Sequence, residues 1–485
     1  MAESLKEKTA KGIFWGGLSN GIQQVVSLSF GIILARYLLT PEDYGTAGML
    51  SVFTGMAALL QDSGFTTALI NKRNATDKDF NAVFWFSVTV GVSLYIILFF
   101  CAPFIADFFH TPELKSVARV LFLWFLIGCT ATVHNAILIK KLMIKEKAKA
   151  EVSALFISCV VGVTLAWFGY GYWSIIIQTV VHGTVGVLFR WYYSPWRPSF
   201  HINFNPLKEM FPFSVKLLLT GIFTTINGNI FSILLGRFYT RPEVGYYNQG
   251  YKWVFMGYSV VWNMVNGVSQ PVLAEVAFDR ERQKHIFRKM LRFISFIAFP
   301  AMLGLALVSQ EVIVITVTDK WLPSVPIMQM FCIWGAITPI CNLYSNVLIS
   351  HGKSNIYMYS TIGLALMQLI IVCLAMPFGI STMLTAYVSV NLCWFFVWHF
   401  FTGKFINISL KEVLFKDIFP YLFITLFALG IAYAASLLTA NIYLKLLIKI
   451  VIAAMIYIIA MYTTKSVVFR ESVEFIFQKF KHGNR

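Results

Sequence analysis

The 485-residue sequence has few charged residues, and this shortage sets its class. Asp, Glu, Lys and Arg make up 13% of the chain, whereas 58% is hydrophobic and the mean hydropathy is +0.70. A soluble domain carries about 25% charged residues, so most of this chain must face lipid or other helices rather than water. The sequence therefore predicts an all-α integral membrane protein.

Acidic residues are especially scarce, with 22 Asp and Glu against 39 Lys and Arg. A net charge of +17 could indicate a nucleic-acid partner, but cytoplasmic loops of membrane proteins also collect basic residues. With the N-terminus placed inside, 29 of the 39 basic residues fall on the cytoplasmic side and eight on the outer side. The charge therefore follows the membrane topology, and we expect both termini in the cytoplasm and no nucleic-acid partner.

Signatures of catalysis are also missing. The sequence has no HExxH, no P-loop, no GxSxG and no paired carboxylates within one apolar segment, so we expect neither an enzyme nor an ATP-driven motor. Its seven cysteines stand singly in apolar segments with no CxxC pair, which predicts neither a disulfide framework nor a zinc site. No bound metal or cofactor is expected.

Long apolar runs are abundant, and each run of about 20 residues is a candidate membrane span. Reading the runs between polar breaks predicts fourteen spans, and an even number agrees with both termini on one side. The predicted spans are residues 13–36, 44–69, 81–106, 116–139, 150–169, 172–192, 210–236, 245–274, 292–317, 325–350, 355–377, 380–402, 417–438 and 441–463.

Two stretches of the sequence are nearly the same, namely FGIILARYLLTPEDYG from residue 30 and FSILLGRFYTRPEVGYY from residue 231. At an offset of 201 the matched pairs are Arg36/Arg237, Pro41/Pro242 and Glu42/Glu243, and a shorter second turn pairs Gly45 with Gly245. Six spans separate the copies, so both run in the same direction, as in transporters built from parallel repeats. We therefore expect a six-helix lobe over 1–200, a second over 201–403, and two further helices with a basic tail over 404–485.

Function is read from polar groups placed where lipid disfavours them. Spans 1, 2, 7 and 8 are the most polar and predict a water-accessible cavity, although Asn and Gln in such helices also serve simply to join helices. A cationic cavity indicates an anionic passenger, because Lys and Arg bind phosphate well. The predicted substrate-binding residues are Lys216, Lys252, Arg36, Arg237, Gln24, Asn227 and Asn263, and Asp62 is the candidate for a coupling ion.

The two arginines have a second interpretation. Arg36 and Arg237 lie near the outer ends of their spans, where a basic side chain reaches the interface at little cost. Together with Glu42 and Glu243 they could anchor or cap the two turns without touching substrate. Both interpretations stay open at the level of the sequence.

The segments ILARYLLTPEDYGTAGMLSVF and LQDSGFTTALINKR resemble the polysaccharide-exporter branch of the multidrug/oligosaccharidyl-lipid/polysaccharide exporter superfamily, in particular its lipid-linked O-antigen flippases. The resemblance implies two six-helix bundles around a V-shaped cavity in the bacterial cytoplasmic (inner) membrane. It implies that undecaprenyl-diphosphate-linked oligosaccharide crosses that membrane for lipopolysaccharide, capsule or exopolysaccharide, driven by a proton or sodium gradient. Membrane lipid, glycosyltransferases and a polysaccharide polymerase would be its partners.

Two alternatives stand beside this interpretation. The drug-exporting branch of the superfamily carries an acidic residue in its first helix, and the first span here has none, which makes cation-coupled drug antiport the weaker hypothesis. A scaffold that recruits glycosyltransferases without transport is the third. The identity of the glycan and of the coupling ion does not follow from the residues.

Overall fold

The computed structural model describes residues 5–62, 65–72, 75–200, 202–471 and 474, and some side chains within these ranges are not described. Helix makes up 87% of the described residues, which form no β-strand. The prediction of an all-α protein is therefore confirmed. The chain divides into two compact units, Met1–Asn248 and Gln249–Arg485, and each is described by itself below.

Short polar breaks separate the helices of the first unit. At the break between α8 and α9, Gly169 and Gly171 have φ of +83° and +51°, a conformation that favours glycine. The helices are α1 (Leu5–Ile33), α2 (Pro41–Met49), α3 (Ser51–Asp62), α4 (Phe65–Asn71), α5 (Asp77–Phe108), α6 (Leu114–Gly128), α7 (Thr132–Lys140), α8 (Ile144–Trp167), α9 (Tyr172–Tyr193), α10 (Leu207–Gly228) and α11 (Ile230–Phe238). A π-helical turn, Leu34–Leu38, follows α1, and a 3-10 turn, Cys129–Ala131, joins α6 to α7.

Helix α12 (Arg241–Glu275) contains the boundary between the units. The second unit continues with α13 (Arg280–Leu307), α14 (Ser309–Val317), α15 (Ser324–Ser350), α16 (Ser354–Ala375), α17 (Ile380–Ile406), α18 (Leu410–Glu412), α19 (Phe419–Ser436) and α20 (Ile442–Thr463). Its irregular turns are Asp319–Trp321, Met376–Phe378 and the π-helical Val413–Ile418. Its core is strongly aromatic, because the fully buried side chains include Trp321, Tyr344, Phe287, Phe299 and Phe331.

Eleven helical segments among the described residues are long and apolar enough to cross a membrane. Many large apolar side chains on them face outward, for example Phe100 at 68% and Leu188 at 63% exposure, and only lipid covers such a surface favourably. The protein is therefore a multi-pass membrane protein, as predicted.

The predicted spans 44–69, 210–236 and 245–274 are the three outside these eleven. The first is divided into α2, α3 and α4, and the second is divided at Asn229. The third is one helix, α12, whose sequence carries several Asn, Gln and charged residues. These are three of the four segments that are richest in polar residues. The polar residues that suggest a binding site also lower the mean hydropathy by which a membrane span is recognised. The count of fourteen stays a prediction.

Candidate functional site

The repeated stretch forms the same helix cap twice. The backbone N–H and hydroxyl of Thr40 donate to the Asp43 carboxylate at 2.9 and 2.7 Å, at the start of α2. The corresponding groups of Thr240 donate to the Glu243 carboxylate at 2.8 and 2.7 Å, at the start of α12. Each pair satisfies a helix N-terminus and places a negative charge where the helix dipole favours it.

These caps correct the alignment of the repeat beyond the turn. Thr40 matches Thr240 and Asp43 matches Glu243, so the offset within the helices is 200 rather than 201. The pairing of Glu42 with Glu243 is therefore wrong by one residue. Both sequences place a carboxylate near the start of the helix, and only the hydrogen bonds show which one caps it.

The two copies cross at a pair of glycines. A Cβ atom on Gly45 would lie 1.8 Å from the carbonyl oxygen of Arg241, and one on Gly245 would lie 1.9 Å from the carbonyl oxygen of Pro41. The contact is reciprocal, since Pro41 and Arg241 are each the first residue of their helix. Glycine permits this approach of two backbones, which any larger residue would prevent. We refer to these four residues as the glycine crossing.

An ion-pair cluster lies beside the glycine crossing. The Arg241 guanidinium is 3.3 Å from the Glu42 carboxylate and 2.9 Å from the Glu113 carboxylate. The side chains are 26%, 58% and 45% exposed, so solvent screens the pairs and each contributes at most about 1 kcal/mol. Glu42 thus pairs across the crossing, whereas the sequence suggested that it anchors or caps its own turn.

The two matched arginines of the repeat, Arg36 and Arg237, lie against aromatic rings. Arg36 is in the π-helical turn after α1, and its guanidinium carbon is 5.4 Å from the centre of the Tyr37 ring. Arg237 is in the last turn of α11, 5.5 Å from the ring of Phe108 and 5.7 Å from that of Phe238. Contacts of this kind stabilise a cation at a helix end. A substrate role for either arginine stays a prediction.

The other predicted site residues are distributed over both units. In the first unit, Gln24 is exposed on α1 and Asn227 is half-buried near the end of α10. In the second, Lys252 is half-buried and Asn263 is exposed, both on α12. The side chains of Lys216 and Asp62 lie outside the described residues. Their role in binding is accordingly an expectation from sequence and chemistry.

Buried charges in the second unit escaped the sequence reasoning. Asp417 is fully buried, and its carboxylate accepts from Arg288 at 2.8 Å and from Arg292 at 2.5 Å. Lys449 donates to Glu311 at 2.6 Å, with both side chains less than a tenth exposed. The available signal was a charged residue inside an apolar run, but the partners are more than 100 residues away in the sequence.

A histidine at the end of α15 is also part of a polar network. Gln283 is fully buried, accepts from His351 at 2.9 Å and donates to the carbonyl of Leu273 at 3.1 Å. Burial, and then the nearby Arg280 and Lys353, lower the pKa of His351 below its usual range. These surroundings therefore favour the neutral form of His351.

Comparison with known proteins places the chain among polysaccharide biosynthesis proteins. The family described as "Polysaccharide biosynthesis protein" matches residues 33–326, more than half of the chain. Teichuronic acid biosynthesis protein TuaB of Bacillus subtilis is 24% identical over 466 residues, covering 94% of this chain and 95% of that protein. Lipopolysaccharide biosynthesis protein WzxC of Escherichia coli is 24% identical over 355 residues, covering 73% of this chain and 72% of that protein.

Solved structures show the same fold at low identity. The lipid II flippase MurJ in its inward closed conformation superposes with a TM-score of 0.77 at 15% identity, over 95% of this chain and all of that chain. An inward-facing multidrug resistance transporter of the MATE family superposes with a TM-score of 0.62 at 16% identity, over 81% of this chain and 96% of that chain. The chain therefore has the all-helical fold of these structures, whereas the two six-helix bundles and the V-shaped cavity stay predictions. The match to the family begins at residue 33, inside the first copy of the repeated stretch. Because it covers more than half of the sequence, the chain belongs to the polysaccharide biosynthesis protein family.

Proposed function

We propose that this protein is a flippase that moves undecaprenyl-diphosphate-linked oligosaccharide repeat units across the bacterial cytoplasmic membrane by alternating access. The repeat units would serve lipopolysaccharide, capsule or exopolysaccharide, and the protein itself performs no catalytic step. Glycosyltransferases supply the substrate and a polymerase consumes the product.

One observation carries the proposal. A chain of the polysaccharide biosynthesis family has, over 95% of its length, the fold of a protein that is a flippase for a lipid-linked saccharide precursor. The relatives in that family are proteins of teichuronic acid and lipopolysaccharide biosynthesis, which are glycans assembled for the cell surface. A flippase for a lipid-linked glycan accounts for both the family and the fold.

The architecture that we propose has fourteen membrane helices with both termini in the cytoplasm. The lobes comprise residues 1–200 and 201–403, and two further helices follow. In this topology the start of α2 and the start of α12 lie on the periplasmic side. The glycine crossing would then close the periplasmic end of the substrate cavity. Movement of the start of α2 away from the start of α12 would open that end.

The diphosphate of the carrier would bind the cationic residues of the polar helices. Lys216 and Lys252 are charged residues within predicted spans, and Arg36 and Arg237 end the repeated segments, so together they offer four positive charges to a diphosphate. A proton or sodium gradient would drive the cycle, with Asp62 as the acidic group able to respond to it.

A flipping assay tests the proposal. Cells lacking this protein should accumulate lipid-linked repeat units in the inner leaflet, and purified protein in liposomes should move them. Lys216→Ala and Lys252→Ala should reduce the transport rate at least tenfold, because each removes a charge-assisted contact. Lys208→Ala is the matched control, since Lys208 is exposed on α10, the helix of Lys216. Absence of accumulation and of transport would disprove the function, while unchanged rates would remove these lysines from the site.

Cation-coupled drug antiport is the second candidate, because the fold also matches a multidrug resistance transporter. That match covers less of the chain and has a lower TM-score than the match to the lipid II flippase. Drug sensitivity of a deletion strain without any defect in surface glycan would favour the antiporter.

A further inference from the structure

The segment that follows α9 is fixed onto the beginning of α5. The backbone N–H of Ser199 donates to the Asn81 side chain at 2.9 Å, and the Trp85 indole N–H donates to the Ser199 carbonyl at 2.7 Å. Trp196 packs edge-on against Phe84, with ring centres 5.8 Å apart. The segment is thus a built part of the first unit rather than a loosely attached loop.

A cavity of about 520 Å³ lies beneath this segment. This volume is within the range of sites for small ligands and head groups. The residues that line it are mainly polar, aromatic or charged, and include Trp196, Ser199 and three charged residues, namely Lys141, Arg197 and Asp77.

The cavity lies at the ends of candidate membrane spans, where we expect lipid head groups. It is bounded by the first turn of α5 and by the residues just after α7 and α9, and these three helices belong to segments long and apolar enough to span a membrane. Large apolar side chains beside it face outward, with Tyr192 77% exposed and Phe200 88% exposed. Aromatic residues that flank span ends are typical of the membrane–water interface.

Two of the three charged residues, Lys141 and Asp77, are not engaged in ion pairs within the described part of the chain. Asp79, not Asp77, caps α5 and pairs with Lys72 at 2.9 Å.

Arg197 is oriented by its own backbone. One nitrogen of its guanidinium donates to the carbonyls of Ser194 and Trp196 at 2.6 and 2.7 Å. This leaves the other N–H groups of the guanidinium available to the cavity, in the fixed fork that suits a phosphate.

Two cations and one carboxylate around one cavity match a ligand that carries both a phosphate and an amine. Asp77 weakens the attraction of this site for a diphosphate, and Lys141 and Arg197 oppose the binding of a ligand that carries only a positive charge. We propose that this cavity binds the head group of an amine-bearing phospholipid, phosphatidylethanolamine, with its phosphate on Arg197 and Lys141 and its ammonium on Asp77. The site is independent of the transport site proposed above, because none of the residues assigned to that site lines it.

Native mass spectrometry of the full-length protein tests this assignment. The protein is released from nanodiscs that contain equal amounts of phosphatidylethanolamine, phosphatidylglycerol and phosphatidylcholine, and the retained lipid is counted. Wild type should retain phosphatidylethanolamine about tenfold over phosphatidylglycerol, because one charge-assisted hydrogen bond is worth at least that factor. The double variant Lys141→Gln/Arg197→Gln should lose about tenfold of the retained phosphatidylethanolamine.

The carboxylate gives the sharper test. Asp77→Asn should remove the preference, so that phosphatidylethanolamine and phosphatidylglycerol are retained equally. Asp107→Asn and Lys78→Gln are the controls, since both residues are exposed on α5 and neither lines the cavity. A melting curve for each variant separates loss of binding from loss of folding.

Three results would overturn the assignment. Equal retention of phosphatidylethanolamine and phosphatidylglycerol by wild type would remove the role of the amine. Folded cavity variants that retain lipid as the controls do would place the lipid elsewhere. Displacement of the lipid by an equal concentration of soluble glycerophosphoethanolamine would show that the site takes a free head group and not a membrane lipid.

Discussion

Substituting alanine for Gly45 or Gly245 tests the glycine crossing most directly, because one methyl group is added where two backbones meet. The new Cβ would lie 1.8 or 1.9 Å from a carbonyl oxygen, whereas real Cβ contacts stay above 3.0 Å. The two helix starts must therefore separate by more than 1 Å. The obstructing atom is backbone in both cases, so no side-chain rotation relieves it.

The cost follows from the physics of overpacking. An extra methyl in a closely packed contact costs about 1–3 kcal/mol when the backbone must shift. That energy corresponds to a factor of about 5–150 in the population of the crossed arrangement. Because the contact is reciprocal, the two variants should have similar effects, and the double variant should cost less than their sum.

Maleimide labelling of a cysteine placed at residue 248 measures the opening. The Asn248 amide lies 1.8 Å from the Cβ position of Gly48, so this residue is part of the close contact. In purified protein without its native cysteines, Asn248→Cys should label slowly, and Gly45→Ala or Gly245→Ala should accelerate labelling at least fivefold. Gly228→Ala is the matched control, because an added Cβ there meets no atom within 4 Å.

Labelling rates equal to that of the Gly228→Ala control would refute the reasoning. They would mean that the glycine crossing relaxes without cost, or that it is not the close contact in the membrane. A melting temperature lowered equally in all three variants would also count against it, since the effect would then be general.

Three further predictions concern charged groups. Arg241→Gln removes two screened ion pairs of at most about 1 kcal/mol each and should accelerate the same labelling by no more than about thirtyfold, less so at high salt. Asp417→Asn leaves two guanidinium groups without their buried carboxylate and should destabilise the protein by about 3 kcal/mol, seen as a melting temperature several degrees lower, whereas Glu412→Gln should change little. The pKa of His351 is lower in the folded protein than in the unfolded chain, so the unfolded chain binds a proton on this residue more readily, and the contribution of neutral His351 to stability is full above a pH of about 6.5 and falls as the pH drops. His351→Gln should therefore reduce the decrease in melting temperature between pH 7.5 and 5.5. An unchanged pH dependence would contradict this.

Much of the fold follows from local properties of the chain. Apolar runs of the required length predict the spanning helices. In lipid the backbone N–H and C=O groups have no water to bond to, and a helix pairs them with one another. The weakly predicted segments are α2–α4, α10–α11 and α12, where polar residues interrupt the apolar pattern. The predicted break between the spans 150–169 and 172–192 is confirmed by the turn between α8 and α9.

The site was less accessible to sequence reasoning. The repeat predicts that Arg36 and Arg237 occupy equivalent positions, but the aromatic rings beside them come from local and distant neighbours alike. The pairing of Arg241 with Glu113 joins residues 128 positions apart, and no pattern in one sequence indicates it. Side-chain partners at such distances depend on how helices pack, which residue types alone do not specify.

The sequence by itself determined that this is a helical membrane protein in which one stretch occurs twice, because hydropathy and repetition are properties of the chain. Only the tertiary structure decided how the repeat is used. The caps on Thr40 and Thr240 set its register, and the contact of Gly45 with Arg241 shows that the two copies meet. Glycine, threonine and acidic residues occur in many kinds of turn. Which of them caps a helix or permits a close contact depends on the backbone packed against it, and the sequence does not specify that backbone.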